Sequence, residues 1–244
     1  MGEIPPFDAD KTLAERAYRL LREDIVSGAL APGLKLKIEM LRDRYDMGAG
    51  PLREALARIS GEHLVSLVGQ RGFVVAPMSA DDAREIGHLR KMLEAEALAQ
   101  SIPNGDLDWE EKIITTWHRL ERVERRELQR VGDLAEWERL NHAFHEALVA
   151  ACPSVWLLRM REMMFRQHER YRRLSRQKTV LTRDLSMEHR QLMEAALDRD
   201  VDAAVATIRA HVERTTEAVD AALRARNGAA PAGDIGVPAP MTGG

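Results

Sequence analysis

The stretch from Ile38 to Val75, IEMLRDRYDMGAGPLREALARISGEHLVSLVGQRGFVV, decides how the chain is to be read. Ile38, Leu41 and Tyr45 recur at i, i+3 and i+7, which predicts a short amphipathic helix over 38–45. Asp46-Met47-Gly48-Ala49-Gly50 stops it, with Gly48 and Gly50 supplying the backbone freedom of a tight turn. Pro51 stands where a second helix would begin, at a position that needs no N–H. Leu52, Leu56 and Ile59 give that helix an inward face and leave Arg53 and Arg58 on others. Leu64 to Val68 and Phe73 to Val75 are β-rich runs around Gly69-Gln70-Arg71-Gly72, a hairpin pattern with an arginine at its tip. Two helices joined by a short turn and followed by such a hairpin make a winged helix-turn-helix, whose second helix commonly reads the DNA major groove. The plainer alternative is a helical hairpin capped by a ribbon.

Working outward, Lys11 to Ser27 carries Leu13, Ala17, Leu20, Leu21 and Ile25 at helical spacing, and Pro32-Gly33 marks a turn before a short strand at Leu34 to Lys37. The winged helix is therefore expected over 11–78, behind a loose arm at 1–10. Ser79 is a good N-cap with Asp81 and Asp82 after it. Beyond it the pattern is helical with short breaks, one of them at Gly132-Asp133. Six segments are expected, at 80–101, 108–129, 133–151, 153–178, 182–199 and 200–226. They should form an antiparallel bundle over 79–227. The Gly-, Ala- and Pro-rich residues 228–244 read as a disordered tail. The fold class expected is mainly α, a winged helix followed by an all-helical bundle.

Bulk properties narrow the function. The net charge is −3, and residues 1–78 hold eleven Lys/Arg against eleven Asp/Glu. Any attraction to phosphate must then come from how individual arginines are arranged, which predicts modest affinity per protomer and a need for two copies. No apolar run reaches the roughly 18 residues that span a bilayer. Cys152 is the single cysteine, so no intramolecular disulfide forms, and a cytoplasmic location is the default expectation.

Within the bundle, polar residues fall on faces that should be apolar. Trp137, Phe144 and Leu148 share the direction of Asn141, with His145 at the edge of that face. His189 lies among Leu185, Leu192, Met193 and Ala196, and His211 among Ala204, Ile208 and Ala218. Either each imidazole is satisfied separately in the core, or His145, His189 and His211 are ligands of one transition metal. No inward Glu is expected a turn from them, which weighs against a metal-dependent enzyme. His168 does not show this pattern. Arg90 sits on the stripe of Ile86, Leu93 and Ala97, with Glu94 one turn on. It either forms an internal pair with Glu94 or clamps the carboxylate of a small ligand. The eight basic side chains between Arg159 and Lys178 are expected to line a solvated helix face.

Ala31-Pro32-Gly33, the run from Pro51 to Arg58 (PLREALAR) and Gln70-Arg71-Gly72-Phe73 together resemble the winged-helix domain of the GntR family of bacterial transcription regulators. The run from Leu89 to Ala97 (LRKMLEAEA), Asn141-x-x-Phe144-His145, His189 and His211 resemble that family's FCD ligand domain in its six-helix form, and the likeness covers about residues 11–225. It implies a non-enzymatic regulator, a homodimer on a palindromic double-stranded operator that is released or rearranged by a small metabolite, often a carboxylate; the role expected is that of a repressor with a small carboxylate effector. It also implies that Asn141, His145, His189 and His211 hold a divalent metal, which three imidazoles would make Zn²⁺ or Ni²⁺. Arg90 and Glu94 are the candidate effector contacts. Asn141 departs from the family pattern, where Asp is common, and Gly48-Ala49-Gly50-Pro51 replaces Ser-Arg-Thr-Pro ahead of the recognition helix. The candidate DNA contacts are Arg42, Arg44, Ala49, Gly50, Arg53, Gln70 and Arg71. The rival readings are a metal-dependent enzyme built in a helical bundle, and a DNA-binding regulator whose histidines are purely structural.

Overall fold

The computed structural model describes residues 12–69, 72–125, 131–176 and 184–228 of the 244. The expected arm at 1–10, the wing-tip residues Gln70 and Arg71, the break at Thr179 to Thr182 and most of the expected tail lie outside them.

The chain opens with helix α1 (Leu13–Val26), started by Thr12, whose hydroxyl accepts from the Glu15 N–H at 3.1 Å. Strand β1 (Lys35–Leu36), helix α2 (Ile38–Tyr45) and helix α3 (Ala49–Gly61) follow, then strands β2 (Val65–Leu67) and β3 (Phe73–Val75). The sheet order is β1-β3-β2, antiparallel throughout, with Lys35 opposite Val74 and Val65 opposite Val75. Leu21, Ile25, Leu41, Leu52, Leu56 and Ile59 are sealed in one core under this sheet. That is a winged helix-turn-helix.

Its turn differs from expectation. The left-handed residue is Asp46, at φ +50°, while Gly48 sits at φ −65° as the N-cap of α3 and Gly50 is already helical. Helix α3 therefore starts two residues before Pro51. Proline is tolerated there because the first-turn N–H groups have no partner within the helix.

Among the described residues that follow, six α-helices stand: α4 (Ala80–Ser101), α5 (Leu107–Glu124), α6 (Val131–Val149), α7 (Val155–Arg176), α8 (Leu185–Leu197) and α9 (Val201–Gly228). The break expected at Gly132-Asp133 is instead the first turn of α6. Local capping explains several starts: Ser79 accepts from Asp82 N–H at 3.1 Å, Asp106 from Trp109 at 2.9 Å, and Asp200 from Ala203 at 2.9 Å. Helix α4 packs along both α9 and α7, and α5 along α6 and α8, around a core containing Trp109, Trp137, Phe144 and Leu192.

Helix α7 is the connection between the two halves. Its Glu169 pairs with Arg22 of α1 at 3.1 Å, its Arg173 with Glu23 at 2.5 Å, and its Gln167 amide donates to the Glu62 carbonyl. The solvated basic face expected there is overturned: Arg161, Arg170, Arg172 and Arg173 are all buried. The helix packs against the bundle on one side and the winged helix on the other, so charged residues on both faces lose contact with water. No described helix is long and apolar enough to cross a membrane.

Candidate functional site

Helices α6, α8 and α9 bring His145, His189 and His211 together. All three are buried, with ring centroids 5.6 Å apart for His145–His189, 5.2 Å for His145–His211 and 4.9 Å for His189–His211. One nitrogen from each lies within 4.8 Å of the others. Two rings are held from behind. His189 Nδ1–H donates to Glu124 at 2.9 Å, and His211 Nδ1–H to Glu188 at 2.9 Å, since a carboxylate can only accept. That tautomer turns the Nε2 lone pair away from the carboxylate, the arrangement in which imidazole binds a cation. The expectation that no inward acid stands beside these histidines is therefore corrected: Glu124 arrives from α5 and Glu188 from α8 itself. Each fixes a ring, so neither is placed as a free general base.

The cluster leaves polar atoms unanswered. Among the described residues, both nitrogens of His145, Nε2 of His189 and Oδ1 of Asn141 are buried without a hydrogen-bond partner. Burial, followed by the nearby His211, Arg90 and His189, pushes His145 well below its ordinary pKa, so it is neutral at neutral pH. The unpaired ring nitrogens and an orphaned amide oxygen in a buried core carry a cost of a few kcal/mol that coordination of a cation would remove. The donor set fits a borderline metal, and lacks the oxygen ligands a hard cation demands.

Beside this cluster lies a second one, built on Phe165. The guanidinium carbons of Arg90, Arg172 and Arg161 stand 4.3, 4.7 and 5.3 Å from its ring centroid, and the His145 ring 5.5 Å away. Glu94 answers two of them, accepting from Arg90 Nε at 3.3 Å and Arg161 Nε at 3.0 Å; Glu138 answers Arg172 at 2.7 Å. The internal Arg90–Glu94 pair is thus present, but it does not satisfy the arginine. Arg90 Nη1 donates to His168 Nδ1 at 3.0 Å, and Arg90 Nη2, Arg161 Nη2 and His168 Nε2 are buried without partners among the described residues. Burial and the Arg172 charge push Arg90 down to about 9, still protonated at neutral pH. Sequence reading missed Arg161, Phe165, His168 and Arg172. Their signal is the spacing i, i+4, i+7, i+11 along one face of α7.

In the winged helix, Arg42 and Arg53 are exposed, as are Gly48 and Gly50 at the start of α3. Arg44 is less available than expected. It pairs with Asp24 at 2.7 Å and lies over the Tyr45 ring, because α2 packs its last turn against α1.

A family model described as "Bacterial regulatory proteins, gntR family" matches residues 13–75, and the FCD domain model matches 85–214. The chain is 40% identical over 210 residues to an uncharacterized HTH-type transcriptional regulator, BphR, of Paraburkholderia xenovorans (strain LB400), covering 86% of each. It is 37% identical over 199 residues to the HTH-type transcriptional repressor GlaR of Escherichia coli (strain K12), covering 80% of this chain and 90% of that one. Among solved structures, a GntR family member from Pseudomonas syringae pv. tomato str. DC3000 aligns with TM-score 0.55 and 28% identity over 93% of this chain and 91% of that one. E. coli McbR/YncC shares the fold with TM-score 0.68, at 19% identity over 88% of this chain and 99% of its own.

Proposed function

The chain belongs to the GntR family of bacterial transcription regulators and carries the family's FCD domain, and from that premise we propose a repressor governed by a small carboxylate held beside a metal ion. Its relatives are DNA-binding regulators and not enzymes. In this reading residues 11–78 grip a palindromic operator and 79–227 sense the effector and dimerise. The name repressor on GlaR and on E. coli RspR favours that sign of control.

The observation that carries the sensing half is the set of unanswered donors and acceptors in one buried region. Arg90 Nη2 and Arg161 Nη2 offer N–H groups beside Phe165, while His145, His189 and Asn141 offer lone pairs next door. Asn141, His145, His189 and His211 would hold a divalent ion, Zn²⁺ or Ni²⁺ by ligand type, and the ion would supply a Lewis-acidic anchor for an anion. Arg90, with Arg161, would take a carboxylate through their free N–H groups, and Glu94 would keep both guanidiniums in place. Glu124 and Glu188 orient the rings.

For the reading head, Arg53 enters the major groove and Arg42 meets the backbone. Ala49 and Gly50 present first-turn N–H groups that no side chain of the Gly48 cap satisfies, a natural seat for a phosphate. Arg44 acts only if it leaves Asp24. Gln70 and Arg71 would serve the wing.

Elemental analysis of tag-free protein tests the metal, with about one ion per chain expected. Thermal-shift screening of mono- and dicarboxylates, with and without chelator, tests the effector, since a ligand at 100 times its Kd stabilises by about 2.7 kcal/mol. A metal-free protein, or carboxylate shifts indifferent both to chelator and to Arg90→Met, would remove this reading and leave the histidines structural.

A further inference from the structure

The winged helix and the bundle meet over a cleft of about 540 Å³ that shares no residue with the histidine cluster. One wall is His63 with the connector from Ala76 to Ser79, on the winged-helix side. The other is Ile86 of α4 with Met163, Met164 and Arg170 of α7.

Arg170 is the anomaly in this wall. It is only 2% exposed, its guanidinium donates to the Ala76 carbonyl, and its Nε has no hydrogen-bond partner among the described residues. Among the described residues no carboxylate comes within ion-pairing distance of it. Asp82, which lines the same cleft, accepts from the Tyr171 hydroxyl. The contrast with Arg22 at the same junction is direct. Burial works against the cation in both, but Glu169 and Glu62 more than restore Arg22, whereas Arg170 stays below an ordinary guanidinium. Asp82 and Tyr171 act on it only through space and do not offset the burial, so a guanidinium hydrogen-bonded to one carbonyl remains short of an anion.

We propose that this cleft is a second ligand site, taking a small monocarboxylate with a flat apolar body, of which an aromatic acid is the type. Arg170 receives the carboxylate. Ile86, Met78, Met163 and Met164 supply soft, polarisable walls that suit the face or edge of a ring. The volume lies in the range of small-molecule pockets. A single guanidinium with Asp82 in the same lining cannot satisfy phosphate, and Asp82 disfavours a second negative charge. The inference is independent of the metal-and-carboxylate reading, and an occupant would touch both halves of the chain at once.

Calorimetric titration of benzoate into the chelator-treated full-length protein tests it, with benzyl alcohol and acetate as probes lacking the charge or the ring. One benzoate per chain is expected, with both controls weaker by about tenfold or more. Arg170→Met should weaken benzoate by roughly 10- to 100-fold, the loss of a charged hydrogen bond. Should that variant fail to fold, Met163→Glu places a carboxylate within the cleft to compete for Arg170, and the same loss is expected. His145→Ala should leave benzoate binding unchanged. The proposal is overturned if benzoate binds wild type no better than acetate does, if neither cleft variant weakens it, or if His145→Ala abolishes it. That last result would move the ligand to the histidine cluster.

Discussion

Glu94→Gln is the sharpest test of the electrostatic frame inside the bundle. Glu94 is 1% exposed and its two oxygens accept from Arg90 Nε at 3.3 Å and Arg161 Nε at 3.0 Å. The amide keeps the shape, but it can accept through only one atom and removes the negative charge that two buried guanidiniums share. Breaking a buried pair on one side costs about 3–5 kcal/mol. At roughly 2–4 °C per kcal/mol for a chain of this size, the melting temperature should fall by roughly 6–20 °C. Circular dichroism during heating and urea titration supplies both numbers. The deficit should shrink in the presence of a small carboxylate, because an anion bound at the open Arg90 Nη2 and Arg161 Nη2 groups would restore the missing negative charge. A drop below about 1 kcal/mol would refute the reasoning, since it would mean that Arg90 and Arg161 do not depend on Glu94 for their charge balance.

Three further outcomes follow from other parts of the molecule. Glu124→Gln should weaken zinc binding by about 10- to 100-fold against a chromophoric chelator, with the fold kept, because it loosens the His189 ring that Glu124 orients at 2.9 Å. Gly87→Ala ought to destabilise by about 1–3 kcal/mol although alanine is the better helix former, since its methyl group would fall within the Thr216 side chain where α4 crosses α9; adding Thr216→Ala should recover most of that loss in thermal melts. Burial alone would raise the Glu162 carboxyl, but His142 and Arg166 hold it down to about 2. Its folded pKa is below the unfolded value of about 4.3, so its contribution is complete above about pH 5 and disappears as pH falls toward 2. Urea midpoints across that window should be flatter in Glu162→Gln than in wild type.

The winged helix was legible because its signals are local. The period of α2 and α3 and the two β-rich runs each sit within a few residues, and the core they predicted, from Leu41 through Leu52, Leu56 and Ile59, is buried as a unit. Helical phase also sufficed to turn His145, His189 and His211 inward. It failed on α7, where a run of arginines looks the same whether it faces water or two packed surfaces. Tertiary contact distinguishes these, and its trace in the chain is the aromatic Phe165 on the same helical face as Arg161, His168 and Arg172. Glu124 was invisible for a related reason, since it lies 65 residues from the ring it holds. The glycines of the turn misled in the other direction: the left-handed backbone fell to Asp46, and Gly50 has open space around it.

Helix α7 carries Arg161, Phe165, His168 and Arg172 into the buried cluster beside the histidines, and Gln167, Glu169, Arg170 and Arg173 to the winged helix. The twelve steps from Arg161 to Arg173 amount to about 18 Å of one continuous rod. No chain of relayed side chains is then required to carry news of occupancy from one end of the protein to the other. On the proposed reading, a roll of this single shaft would re-aim both sets of residues together, and the chemistry detected at one end could change without rebuilding the grip at the other.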